Sequence, residues 1–95
     1  MSEDSLTLRV RIEGRVQGVW YRGWTAEQAA ARHLTGWVRN CFDGSVEALL
    51  SGPPDAVYAM VAACRQGPPA ALVTSVATEP APPPISPGFH KLPSV

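Results

Sequence analysis

Asp43-Gly44 lies between two short runs of β-forming residues, and this constrains the chain more than any other feature. An Asp-Gly pair between strands closes an antiparallel hairpin, because glycine accepts the positive φ of a tight turn. Residues 35–41 read as the strand before the turn. Residues 45–50 read as the strand after it, with Val46, Ala48 and Leu50 on one face. A lone hairpin cannot bury such a face, so further layers must cover it.

The flanking segments supply those layers. Residues 6–13 alternate cleanly: Leu6, Leu8, Val10 and Ile12 point one way, and Thr7, Arg9, Arg11 and Glu13 the other. This is a half-buried strand that ends at Gly14. Residues 22–34 are rich in alanine and contain no proline, which predicts a helix with a thin stripe of Tyr21, Thr25, Ala29 and Trp24. Pro53-Pro54 opens a second helix, since proline is tolerated in a first turn. Val57, Met60, Val61 and Cys64 recur at helical spacing along it, and Gly67-Pro68-Pro69 stops it. A fourth strand spans 72–78. The proline-rich stretch 79–88 is a stiff connector to a short last strand at the sheet edge, near 89–92. The order strand, helix, strand, strand, helix, strand predicts an α+β, ferredoxin-like βαββαβ sandwich: an antiparallel sheet with two helices on one face.

The 95 residues suffice for one domain, expected over 1–95 with residues 1–5 as a flexible N-terminus. Eight basic residues balance eight acidic ones, so no net field draws the chain to nucleic acid or to an anionic membrane. Any anion must be caught locally. Cys41 and Cys64 have neither C-x-x-C spacing nor a histidine pair beside them, which argues against a zinc site. Both read as free thiols of a reducing compartment, although a contact between them stays open. The first ten residues carry Glu3 and Asp4 and lack the pattern of a signal peptide. No apolar stretch approaches the roughly 20 residues that span a bilayer. The expectation is a cytoplasmic monomer without a membrane segment.

The passage from Gly14 to Arg22 carries the chemistry. The chain leaves a strand, turns through a loop containing Gly18, and enters a helix whose first amides have no internal partner. Curled amides and a helix N-terminus together form a nest for phosphate, and Arg22 would add a guanidinium fork. The pattern also fits a plain strand-to-helix turn. It is neither a Walker loop nor a dinucleotide fingerprint, because the glycine and lysine spacing differ.

Gly14-Arg15-Val16-Gln17-Gly18-Val19-Trp20-Tyr21-Arg22 resembles the signature of the acylphosphatase family. The same holds for Gly36-Trp37-Val38-Arg39-Asn40 followed by Asp43-Gly44-Ser45-Val46-Glu47, and for Gly67-Pro68-Pro69 and Gly88-Phe89. The resemblance covers nearly the whole chain from Leu6 onward and implies the same ferredoxin-like fold. It implies hydrolysis of the carboxyl-phosphate bond of small acyl phosphates, without cofactor or metal. Arg22 and the backbone amides of Arg15, Val16, Gln17, Gly18, Val19, Trp20 and Tyr21 would hold the phosphate, and Asn40 would orient the attacking water. Three positions depart from the family. Trp20 stands where a small residue is common, either walling the pocket mouth or simply half-exposed. Tyr21 replaces the more usual Phe and is read as core. At the helix end Arg32-His33-Leu34 lacks the usual glycine, so His33 is expected in a left-handed cap conformation. Arg9 and Arg11 are read as solvated, and Trp37 with Arg39 as a packing pair. Two rivals stand beside the enzyme. A non-catalytic module binding phosphate or carbamoyl phosphate would keep the same residues. An RNA-recognition domain would need strand aromatics and a basic excess, and strands one and three have no aromatic residue.

Overall fold

The computed structural model describes residues 4–95; of the stretch 1–5 expected to be flexible, residues 1–3 lie outside them. Seven elements follow one another: β1 (Leu6–Arg15), α1 (Tyr21–Ala31), β2 (Thr35–Asn40), β3 (Val46–Gly52), α2 (Pro54–Cys64), β4 (Leu72–Pro80) and β5 (Phe89–Lys91). They build one sheet in the order β4-β1-β3-β2-β5, the ferredoxin-like arrangement read from the sequence.

Alternation dictates the two faces of the sheet. Val10, Ile12, Val38, Val46, Ala48 and Leu50 are fully buried and face the helices. Val57, Met60, Val61 and Cys64 of α2 close over them, with Tyr21, Thr25 and Ala29 of α1. These are the stripe residues that the helical spacing indicated, joined by Gly23. The opposite face is polar and tied together. Glu47 accepts from Arg9 at 2.6 Å and from Arg39 at 2.7 Å. Arg39 also lies over the Trp37 ring at 4.5 Å, and the Thr7 and Ser51 hydroxyls meet at 2.7 Å.

Three local expectations are refined. The hairpin forms, with Asn40 opposite Val46, but Asp43-Gly44 is not a two-residue loop. The Gly44 amide donates to the Cys41 carbonyl at 3.0 Å and the Cys41 amide to the Ser45 carbonyl at 2.8 Å. Gly44 has φ 98°, the geometry of a longer turn that ends in a left-handed residue. Asp43 instead accepts from the Ser45 amide (2.9 Å) and hydroxyl (2.7 Å). Second, β1 runs one residue past Gly14, through a register shift against β4 between Glu13 and Gly14. Third, the sheet is mixed rather than wholly antiparallel. The connector after Pro80 carries the chain from the β4 edge to the far edge, where β5 pairs parallel to β2, Val38 opposite Lys91.

His33 has φ 59°, the left-handed cap expected of it. Such a conformation costs a non-glycine residue roughly 1–2 kcal/mol. One fully buried side chain such as Ile12, Leu50 or Met60 contributes about 1.5–3 kcal/mol, so the core carries this strain.

Candidate active site

The register brings the ends of β1 and β2 together. Val46 of β3 pairs with Ile12 on one side and Asn40 on the other, so both flanking strands leave the sheet at the same end. Residues 16–20 form the loop that follows β1. Val16 is buried and Val19 packs against the core, which pins the loop at two points. Between them Gly18 is exposed and has φ 75°, as the curl requires.

The loop is also tied to the hairpin. The Gln17 side-chain amide donates to the Cys41 carbonyl at 2.7 Å and to the Ser45 carbonyl at 2.8 Å. These carbonyls flank the turn that follows Asn40. Gln17 thus couples the loop to the strand end that carries Asn40. Sequence reasoning gave Gln17 only a backbone role and missed this tether.

α1 begins at Tyr21 with nothing of its own on its N-terminus. Trp20 occupies the cap position with φ 67° and ψ 27°, no side chain caps the helix, and its first turn holds no acidic residue. Within the described residues, no amide from 16 to 20 donates to a backbone acceptor. The helix dipole and these amides therefore leave a positive, donor-rich concavity. The left-handed backbone at Trp20 was not foreseen. Its indole lies against Gly23, where a Cβ would stand 2.2 Å from the ring nitrogen. Glycine at position 23 makes room for the indole.

Arg22 and Asn40 line one cleft of about 430 Å³, together with Val16, Gln17, Gly18, Trp20 and Tyr21. Arg15 and Val19 do not line it. Arg15, expected in the loop, is the last residue of β1 and pairs with Leu72. Trp20 is 59% exposed and walls the cleft. Tyr21 is core: its hydroxyl donates to the Cys64 carbonyl at 2.6 Å, and burial pushes its phenol above the usual range. Lys91, Leu92 and Pro93 also line the cleft, and sequence reasoning did not assign them to the site. This segment extends the pairing along β2: the Leu92 amide donates to the Val38 carbonyl at 2.8 Å and the Val95 amide to the Asn40 carbonyl at 3.0 Å.

No carboxylate or imidazole lines the cleft. The nearby acids have other partners. Asp43 sits low, at about 2, held by the Ser45 hydroxyl and amide and then by Arg11. At Glu47 desolvation opposes ionisation, but Arg39 and Arg9 together outweigh it and keep the carboxyl below its ordinary value. Cys64 is buried, which pushes its thiol up to about 11, and it forms no disulfide with Cys41. Among the described residues no cluster of three or more His, Cys, Asp or Glu could hold a metal ion, and no helix is long and apolar enough to cross a membrane. The arrangement offers one guanidinium, a curl of amides and a carboxamide around a space for an anion.

Comparison with known proteins agrees with this fold. The acylphosphatase family model matches residues 8–91. An acylphosphatase of Rhodospirillum rubrum is 57% identical over 89 residues, which cover 94% of this chain and 98% of that protein. The structure of an acylphosphatase from Coxiella burnetii superposes with a TM-score of 0.91 at 29% identity, covering 97% of this chain and all of that one. The crystal structure of the Bacillus subtilis acylphosphatase gives a TM-score of 0.86 at 35% identity, over 92% and 98% of the two chains.

Proposed function

The chain belongs to the acylphosphatase family, and from that premise we propose how its residues hydrolyse acyl phosphates to carboxylate and inorganic phosphate. The substrate's phosphate sits in the curl of residues 16–21. The amides of Val16, Gln17, Gly18, Val19, Trp20 and Tyr21 donate to its oxygens, and the Arg22 guanidinium closes the ring with two parallel bonds. Arg15 is left out of this set because its peptide belongs to the β1–β4 ladder. Asn40, across the cleft, holds the attacking water in line with the phosphorus.

The single observation that carries this reading is the shared cleft of Arg22, the uncapped helix start and Asn40. The chemistry needs little more. The leaving group is a carboxylate whose conjugate acid has a pKa of about 4, so it departs without a proton donor. Phosphoryl transfer is then mainly positioning and charge stabilisation. Water attacks phosphorus, the bond from phosphorus to the acyl oxygen breaks, and the water's proton passes to a phosphate oxygen of the substrate. The cleft's lack of any carboxylate or imidazole motivates that last assignment.

Hydrolysis of benzoyl phosphate in the presence of chelator tests the proposal. Arg22→Ala and Asn40→Ala are each expected to lower kcat/KM by about 10²–10³ while the variants stay folded. Competitive inhibition by inorganic phosphate should weaken in Arg22→Ala and persist in Asn40→Ala, because of these two side chains Arg22 alone binds the phosphate. Near-normal turnover in either folded variant refutes that residue's role. Phosphate binding by the parent chain with no turnover would favour the non-catalytic module, a reading that the relatives' activity in name disfavours.

A further inference from the structure

The cleft holds one cation more than the phosphate requires. Arg22 and the amides match a dianion, yet Lys91 lines the same cleft. Its direction follows from the register. Lys91 pairs with Val38, and residues opposite one another in a sheet share a face. Val38 is fully buried beneath the helices, so Lys91 leaves β5 on the helical side. Asn40, two residues beyond Val38, shares that face.

Among the described residues Lys91 also forms no ion pair. The ion pairs among the described residues engage Arg9, Arg11 and Arg39, all on the other face of the sheet. No Asp or Glu lines the cleft beside Arg22 and Lys91. Two cations facing one cleft without a carboxylate between them repel each other and favour a ligand that carries negative charge at both ends. The cleft volume of about 430 Å³ lies within the roughly 300–1,000 Å³ of small-molecule sites, which leaves room for an acyl body beside the phosphate. The half-exposed Trp20 ring gives that body an apolar wall.

We propose that Lys91 makes this cleft select acyl phosphates whose acyl group bears a carboxylate of its own. The proposal rests on the assignment of the phosphate to Arg22. A carboxylate fits Lys91 better than a second phosphate does, because one ammonium balances one charge and β5 presents no helix N-terminus or curled amides beside it. A lysine acting instead on the departing carboxylate would serve every acyl phosphate equally, and this difference makes the two roles separable.

Steady-state kinetics on benzoyl phosphate and 3-carboxybenzoyl phosphate, with the full chain and its Lys91→Gln, Lys91→Glu and Lys91→Arg variants, test it. The parent is expected to prefer the carboxylated substrate. Lys91→Gln should lower kcat/KM for that substrate about fivefold, mostly through KM, as for a partly screened ion pair. Benzoyl phosphate should change by no more than about twofold on the same scale. Lys91→Glu should reverse the preference and Lys91→Arg should keep it. An equal fall on both substrates would assign Lys91 to the shared phosphate or leaving group and overturn the proposal. An unchanged ratio with intact turnover of benzoyl phosphate would overturn the role of Lys91 alone. Failure of the parent to hydrolyse benzoyl phosphate would remove the underlying activity and the proposal with it.

Discussion

Gln17 shows how much one side chain can organise. Its amide group serves two carbonyls, 24 and 28 residues away along the chain, and so couples the loop to the end of β2. Each such bond contributes about 0.5–1.5 kcal/mol, and removing the donor leaves both carbonyls without it. Gln17→Ala is therefore expected to lower stability by about 1–3 kcal/mol and kcat by about tenfold, since small displacements of reacting groups are costly. Inhibition by inorganic phosphate should change less, because the backbone amides and Arg22 persist. Chemical denaturation and the split between kcat and the phosphate inhibition constant check this; equal losses in both would make Gln17 a plain part of the phosphate site. The two left-handed non-glycine residues differ in legibility. His33 could be anticipated from the missing glycine after α1. Trp20 could not, because nothing near it in sequence marks its backbone as unusual.

At the scale of the element, α1 is a helix whose start is left uncapped and whose end is strained. Its N-terminus lacks a side-chain cap and an acidic first turn, two features that would otherwise occupy its amides. Its end relies on His33 at φ 59°. His33 is exposed and outside the cleft, so His33→Gly should relieve the strain without touching the chemistry. The expected gain is about 0.5–1 kcal/mol, seen as a rise of several degrees in Tm with hydrolysis of benzoyl phosphate unchanged. A fall in Tm would show that the imidazole makes a contact worth more than the strain. The helices were legible because few residue patterns fit them: the stripe of α2, Val57, Met60, Val61 and Cys64, is the set that is buried. The ends were less so, since α1 starts at Tyr21, one residue before the expected run of 22–34, and stops at Ala31, three residues short of its end.

Across the whole molecule the two sheet faces divide the labour. One buries the core, and the other carries ion pairs that hold the strands in register. Arg11 bonds both Glu13 and Asp43, so strand β1 is latched to the hairpin from the outer side as Gln17 latches it near the cleft. Asp43 is held at about 2, below its ordinary value. A carboxyl lowered by folding stabilises the native state above its unfolded value and loses that contribution as pH falls toward the folded one. Between about pH 4 and pH 2 the chain should therefore lose stability partly through Asp43. The group is fully exposed, so the share is modest. In Asp43→Asn the decline in Tm across that window should be shallower than in the parent. Parallel declines would show that other carboxyls dominate the acid limb.

Periodicity and turn chemistry act over a few residues, and what they govern was readable from the chain: the alternating strands, the hairpin at Asp43-Gly44 and the two apolar stripes; Arg22 and Asn40 were singled out only by likeness to the family. Tertiary structure alone decided what depends on register between distant segments. It set β5 parallel to β2, put Lys91 and Leu92 along the cleft, and brought the Gln17 amide to the carbonyls of Cys41 and Ser45. A residue's own neighbours in sequence carry no record of which strand will lie beside it, because that pairing is settled by burying all the apolar faces at once.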